Sequence, residues 1–112
     1  MLSFNDIKNS VGNQAVVNLK AILVVKNGSS PYLIEDDKNY DNEFKIYLNF
    51  KNLESILLSN IGCLVGGGEL YYDCVVVSGV IKRSNFESFV LDEINKFLLI
   101  REDEEFNILE LQ

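Results

Sequence analysis

The sequence predicts a mainly β domain of the α+β class, with five or six strands wrapped into a strongly twisted barrel and one short helix between the third and fourth strands. Three observations carry this. Residues 14–26 alternate apolar and polar and then turn apolar on both sides, residues 70–82 are rich in tyrosine and valine around an internal glycine, and turn-forming clusters separate the short apolar segments. The 112 residues, 47% hydrophobic and 24% charged with a single proline, suit one compact domain. Its expected division is an arm or helical turn over 1–13, a barrel over 14–101 and an acidic C-terminal extension over 102–112.

From Gln14 to Lys26, Ala15, Val17, Leu19, Ala21, Leu23 and Val25 share one face, while Ile22 and Val24 make the other face apolar only near the end. Such a strand is half-exposed early and covered on both sides later, as a bent strand in a small closed barrel requires. Asn27-Gly28-Ser29-Ser30-Pro31 is a dense turn signal, so Tyr32 to Glu35 should pair back as the second strand. A polar loop over 35–42 leads to Phe44, Ile46, Leu48 and Phe50, which alternate with Lys45, Tyr47 and Asn49 as a half-buried third strand. Asn52 can cap a helix with Leu53, Ile56 and Leu57 on one face, and Asn60 with Gly62 offers its stop.

Gly66-Gly67-Gly68 makes a bend before the fourth strand, Leu70 to Lys82. Phe86 to Leu91 and Lys96 to Arg101 read two ways: Leu91, Ile94 and Leu98 suit a helical face, while Phe97, Leu99 and Ile100 suit a strand near residue 97, the reading we prefer. Glu102-Asp103-Glu104-Glu105 is a turn-like acidic cluster, and Phe106, Ile108 and Leu111 can add an edge strand.

Composition excludes several functions before any motif is considered. With no histidine, the commonest general base and zinc ligand are missing, and no nucleophile, cofactor loop or metal set accompanies the acids. We therefore expect no enzyme and no cofactor. Asp37-x-Asn39-x-Asp41-x-Glu43 begins like a calcium loop but has Asn42 where glycine and Leu48 where glutamate is required. The triple glycine lacks the Lys-Ser/Thr of a phosphate loop. Cys63 and Cys74 are too few for a disulfide framework, and Cys74, inside an apolar run, should be a buried, inert thiol. No export signal opens the chain and no run approaches the roughly 20 apolar residues of a membrane span, so a cytoplasmic protein is expected.

Seventeen acidic against ten basic residues give a net charge of −7, and residues 61–112 carry ten of the acids against four bases. That field repels phosphate backbones and anionic lipid, which disfavours nucleic acid and membranes and favours a basic protein as partner. The candidate contacts are Asp36, Asp37, Asp41, Glu69, Asp73, Glu102, Asp103, Glu104 and Glu105 as charges, with Tyr40, Tyr47 and Tyr71 as aromatic anchors. Glu69, Tyr71 and Asp73 share one face of an extended strand.

The element order, with the stretch Val75-Val76-Val77-Ser78-Gly79-Val80-Ile81, resembles the five-stranded OB-fold over residues 14–101. The resemblance implies an oligonucleotide- or saccharide-binding face on strands two and three, which would present Tyr32, Tyr47 and Tyr40; the cationic groove that a phosphate chain needs is represented only by the scattered Lys20, Lys26, Lys45 and Lys51, and the acidic loop beside it opposes such a chain. The small acidic profile, without a catalytic set, is similar to the immunity proteins of bacterial toxin systems. That likeness implies neutralisation of a basic toxin, often a nuclease, by steric and electrostatic occlusion. A third class is a structural subunit whose open strand edge pairs in a homo-oligomer.

Overall fold

The computed structural model describes residues 14–26, 30–35, 45–62, 69–83 and 88–111. The elements are β1 (Gln14–Lys26), β2 (Tyr32–Ile34), β3 (Lys45–Leu48), α1 (Leu53–Asn60), β4 (Glu69–Arg83), β5 (Ser88–Arg101), β6 (Glu104–Asn107) and a 3-10 turn (Ile108–Leu111). The expected arm over 1–13, the turn residues 27–29, the loop over 36–43, Phe44, Cys63, the triple glycine and Phe86 lie outside the described residues.

One six-stranded sheet, in the order β3-β2-β1-β4-β5-β6, closes on itself because β3 also pairs with β5. All pairings are antiparallel except β3–β5, which aligns Ile46 with Phe89 and Leu48 with Leu91. The ring therefore runs β1-β2-β3-β5-β4, and β6 is attached outside it on β5. No helix among the described residues is long and apolar enough to cross a membrane.

Alternation along β1 delivers what the sequence predicts. Val17, Leu19, Ala21, Leu23 and Val25 are buried inside, whereas the opposite face is exposed at Val16, Asn18 and Lys20 and fully covered at Val24. The interior also receives Leu33, Ile46, Tyr71, Val75, Val77, Ile81, Phe89, Leu91, Phe97 and Leu99, together with Leu53 and Leu57 of α1, Ile61 and Ile108. Phe50 meets Phe97 edge to face at 5.5 Å. Ile108 shows that the acidic tail is tied into the core through the turn after β6. A second apolar cluster, Val24, Tyr32 and Ile34 with Ile22, Tyr47 and Tyr72 packed on it, lies on the outer side of the sheet.

Two local expectations need correction. Asn52 does not cap α1 through its side chain; it enters the helix in the left-handed conformation (φ 63°), which asparagine tolerates better than most residues, and its carbonyl accepts from the Ile56 amide. Phe86–Leu91 and Lys96–Arg101 are not separate: residues 88–101 are one strand interrupted by an irregularity, and the helical reading of 91–101 fails. Ser78 faces Lys96 while Val80 faces Asp92, so Glu93, Ile94 and Asn95 bulge opposite Gly79 and Glu93 takes φ 48°. The bulge preserves which face Leu91 and Phe97 point to, and so the interior stays apolar on both sides of it.

Gly79 is required by this bulge. A Cβ there would stand 2.6 Å from the Asp92 carbonyl oxygen and 3.2 Å from the Ile94 Cα, both backbone atoms that cannot swing aside. Gly79→Ala should therefore lower stability by about 1–3 kcal/mol, as overpacking does. The check is the urea midpoint of the variant; an unchanged midpoint would mean that the bulge does not rest on Gly79.

Candidate functional site

Four features gather the charged and aromatic side chains: an interior clamp, an acidic hairpin with an apolar outer band, a lysine–tyrosine cleft, and a cleft at the bulge. The clamp is built by β4 and β5. Arg101 donates from Nε to Asp73 Oδ1 at 2.8 Å and from Nη2 to Asp73 Oδ2 at 2.7 Å, a paired fork on a carboxylate. Its third nitrogen, Nη1, donates to the Gly62 carbonyl, and the guanidinium lies 5.7 Å from the centre of the Tyr71 ring. The Tyr71 hydroxyl donates to the Ile61 carbonyl. Hydrogen bonding to Asp73 holds the Arg101 guanidinium protonated beyond its ordinary range, against the opposing effect of burial.

This clamp corrects two candidate contacts. Tyr71 and Asp73 do share a face, as alternation requires, but that face is the interior: Tyr71 has no exposed surface and Asp73 is buried against Arg101. Neither side chain is presented to a partner. Cys74, expected to be buried, is exposed, because the same alternation that turns Asp73 and Val75 inward turns Cys74 outward.

Directly after Arg101 the chain makes the acidic hairpin. Arg101 faces Glu104 across a two-residue turn, Glu102-Asp103, in which both residues have positive φ (49° and 68°). Glu102, Asp103, Glu104 and Glu105 are all exposed. Beside them the register lines up outward residues into two rows, Ile22–Cys74–Ile100–Glu105 and Lys20–Val76–Leu98–Asn107. Ile22, Ile100, Val76 and Leu98 are half-buried there, forming an apolar band with exposed Cys74 in it and Lys20 and Glu105 at its margins.

On β2 and β3, Tyr32 and Tyr47 meet edge to face at 6.0 Å, and Lys45 Nζ sits 4.6 Å from the Tyr32 ring centre. With Lys26 and Ser30 they line an open cleft of about 360 Å3, whose lining among the described residues includes no carboxylate. Tyr47 is thus half-buried against Tyr32, while Tyr40, Asp36, Asp37 and Asp41 lie outside the described residues, as does the side chain of Glu69.

The bulge forms a second open cleft, of about 490 Å3, lined by Asn49, Phe50, Asn52, Ile56, Asp92 and Glu93 among others. Asp92 accepts from Lys82 Nζ at 3.1 Å, from Asn49 Nδ2 at 3.1 Å and from the Glu93 amide at 2.8 Å. The Lys82 hydrogen bond, followed by the Glu93 amide, holds the Asp92 carboxyl below its ordinary value, and the bond to Asp92 raises Lys82. Sequence reasoning missed Arg101, Lys82 and Asp92. Arg101 had one signal, a lone cation closing an apolar strand; nothing local pointed to its partner.

Among the described residues no group of three or more cysteine, aspartate or glutamate side chains is placed to hold a metal ion. No family model, curated protein or solved structure matches the chain, so its function is read from its own side chains.

Two outcomes follow. Arg101→Met should cost about 3 kcal/mol or more, because it leaves the Asp73 carboxylate buried without a partner, whereas the double variant Asp73→Leu/Arg101→Met should lose less than that single variant; denaturation midpoints of the two variants decide. Asp92 titrates lower in the folded state, so its contribution exists above its ordinary value and is lost as pH falls through the folded one, below about pH 4. Lys82 titrates higher, so its contribution is complete below 10.5 and is lost as pH rises through the folded value. Asp92→Asn should flatten the stability profile below about pH 4 and lower the Lys82 midpoint followed by NMR.

Proposed function

We propose that this protein is a non-catalytic protein-binding module of OB-type barrel architecture that binds a basic partner, in the manner of a cytoplasmic immunity protein occluding a basic bacterial toxin. The β1-β2-β3-β5-β4 circuit, its parallel β3–β5 closure and the helix between β3 and β4 support the OB-type assignment. The observation that carries the function is the Glu102–Glu105 hairpin. Four consecutive exposed carboxylates stand on a turn held at its base by the Arg101–Asp73 fork, next to a half-buried apolar band. An acidic rim beside an apolar centre steers a cationic surface and then gives it area to bury.

The turn itself supports this reading. A two-residue hairpin with positive φ at both positions is best served by Asn-Gly, and this chain places Glu102 and Asp103 there instead. The acidic side chains sit there at a conformational cost, which fits a turn whose side chains serve a purpose other than stability.

A second reading is favoured by one observation, the open cleft in which Lys26 and Lys45 stand with Ser30, Tyr32 and Tyr47. It lies on the strands where an OB-type domain would stack a base or a sugar ring, and two lysines there oppose the overall charge of −7. In this reading the protein binds an oligonucleotide or saccharide, and Lys45→Glu abolishes that binding.

The test is capture from source-organism lysate at low and high salt, followed by assay of the captured protein's activity. A single basic protein, released by high salt and inhibited by this chain, is the expected result; captured nucleic acid or sugar overturns the reading in favour of the second. Glu102→Asn/Asp103→Gly should raise stability by several tenths of a kcal/mol to about 1 kcal/mol while slowing association with the captured protein. Faster or unchanged association at low salt would remove the hairpin from the interface.

A further inference from the structure

We propose that the basic partner docks on the outer edge of β6, adding an extended segment of its own as a further strand of the sheet. This rests on the protein-binding reading above and names the surface and the form of the ligand. The sheet ends at β6, which pairs with β5 and with no other strand among the described residues. In a two-residue hairpin the residues flanking the turn exchange both backbone hydrogen bonds, so Arg101 and Glu104 bond to each other, as do Leu99 and Phe106. Alternation then points the N–H and C=O of Glu105 and the N–H of Asn107 away from β5, the Asn107 carbonyl being taken by the first bond of the 3-10 turn. Those groups are the acceptors and donors that an added strand uses.

Charge selects the occupant. A strand laid along β6 places its outward side chains beside Glu105 and Asn107, extending the rows Ile22–Cys74–Ile100–Glu105 and Lys20–Val76–Leu98–Asn107 by one position. Opposite-charge pairs across strands stabilise and like-charge pairs destabilise, so the position next to Glu105 calls for lysine or arginine. A long basic side chain there can lay its aliphatic stem toward Ile100, which is half-buried. A second copy is a poor occupant: edge-to-edge pairing of β6 strands would bring the four exposed acids 102–105 of each copy to one seam. The acidic edge thus blocks self-association and leaves a cationic strand as the matching ligand.

The experiment uses the full isotope-labelled chain and a seven-residue peptide of alternating lysine and valine as the probe. Comparison peptides replace lysine with glutamate, or carry N-methyl groups on alternate backbone nitrogens in each of the two phases. The expected result is amide shifts and hydrogen-exchange protection at Glu105 and Asn107, with affinity at least tenfold weaker for one methylated phase and for Glu105→Lys, and no binding of the glutamate peptide. Equal affinity of both methylated peptides, or shifts confined to β1, overturns strand addition at β6 while leaving a basic partner in place. Absence of binding by the lysine peptide overturns strand addition; whether the broader reading falls with it is decided separately by the salt-dependent capture.

Discussion

The fork between Arg101 and Asp73 is the interaction on which the rest of the arrangement depends. Asp73 lies on the inward face near the start of β4 and Arg101 closes that of β5, the two longest strands, and Arg101 also holds the carbonyl of Gly62, just beyond α1. Tyr71 adds a bond to Ile61 from the same face. Five polar groups thereby find partners, and the end of the helix is fixed to the end of the ring. Every outward feature near this end inherits its position from the fork. The acidic turn starts at the residue after Arg101, and so its carboxylates emerge from an anchored base and not from a loose tail.

Much of the fold was legible because it is written in local alternation. The bounds of β1 and the change in exposure along it follow from which of its residues are apolar, and β2 and α1 follow from turn and helix signals within a few residues of them. What stayed hidden depends on contacts between distant residues. Asp73 and Arg101 lie 28 positions apart, and nothing around either one announces the other. The continuity of β5 was obscured by the polar residues of its bulge, since Glu93, Ile94 and Asn95 break the period of two and let Leu91, Ile94 and Leu98 mimic a helical face. Alternation puts Tyr71 and Asp73 on one face but does not state which side is the interior, and the apolar run around Cys74 suggests burial where alternation turns the thiol outward.

The molecule divides its charge between strands. Lys26 and Lys45 stand with Tyr32 and Tyr47 on β1 to β3, while the acids from 102 to 105 cluster on the β5–β6 hairpin. A net charge of −7 hides this division. The lysines also serve the fold, because Lys45 covers the ring of Tyr32 and so helps close the outer apolar cluster. The hairpin acids make no such internal contact among the described residues, which is why the two groups carry different weight in the reading of function.

The bulge at residues 93–95 lets a single strand do two tasks. Before it, β5 closes the ring against β3; after it, the same strand carries β6. Closure and presentation are therefore separable along the chain. The strand pairings that close the ring involve no residue of β6. The hairpin is thus a tab on a frame that closes without it, and its residues can be exchanged while the pairings that make the ring stay in place.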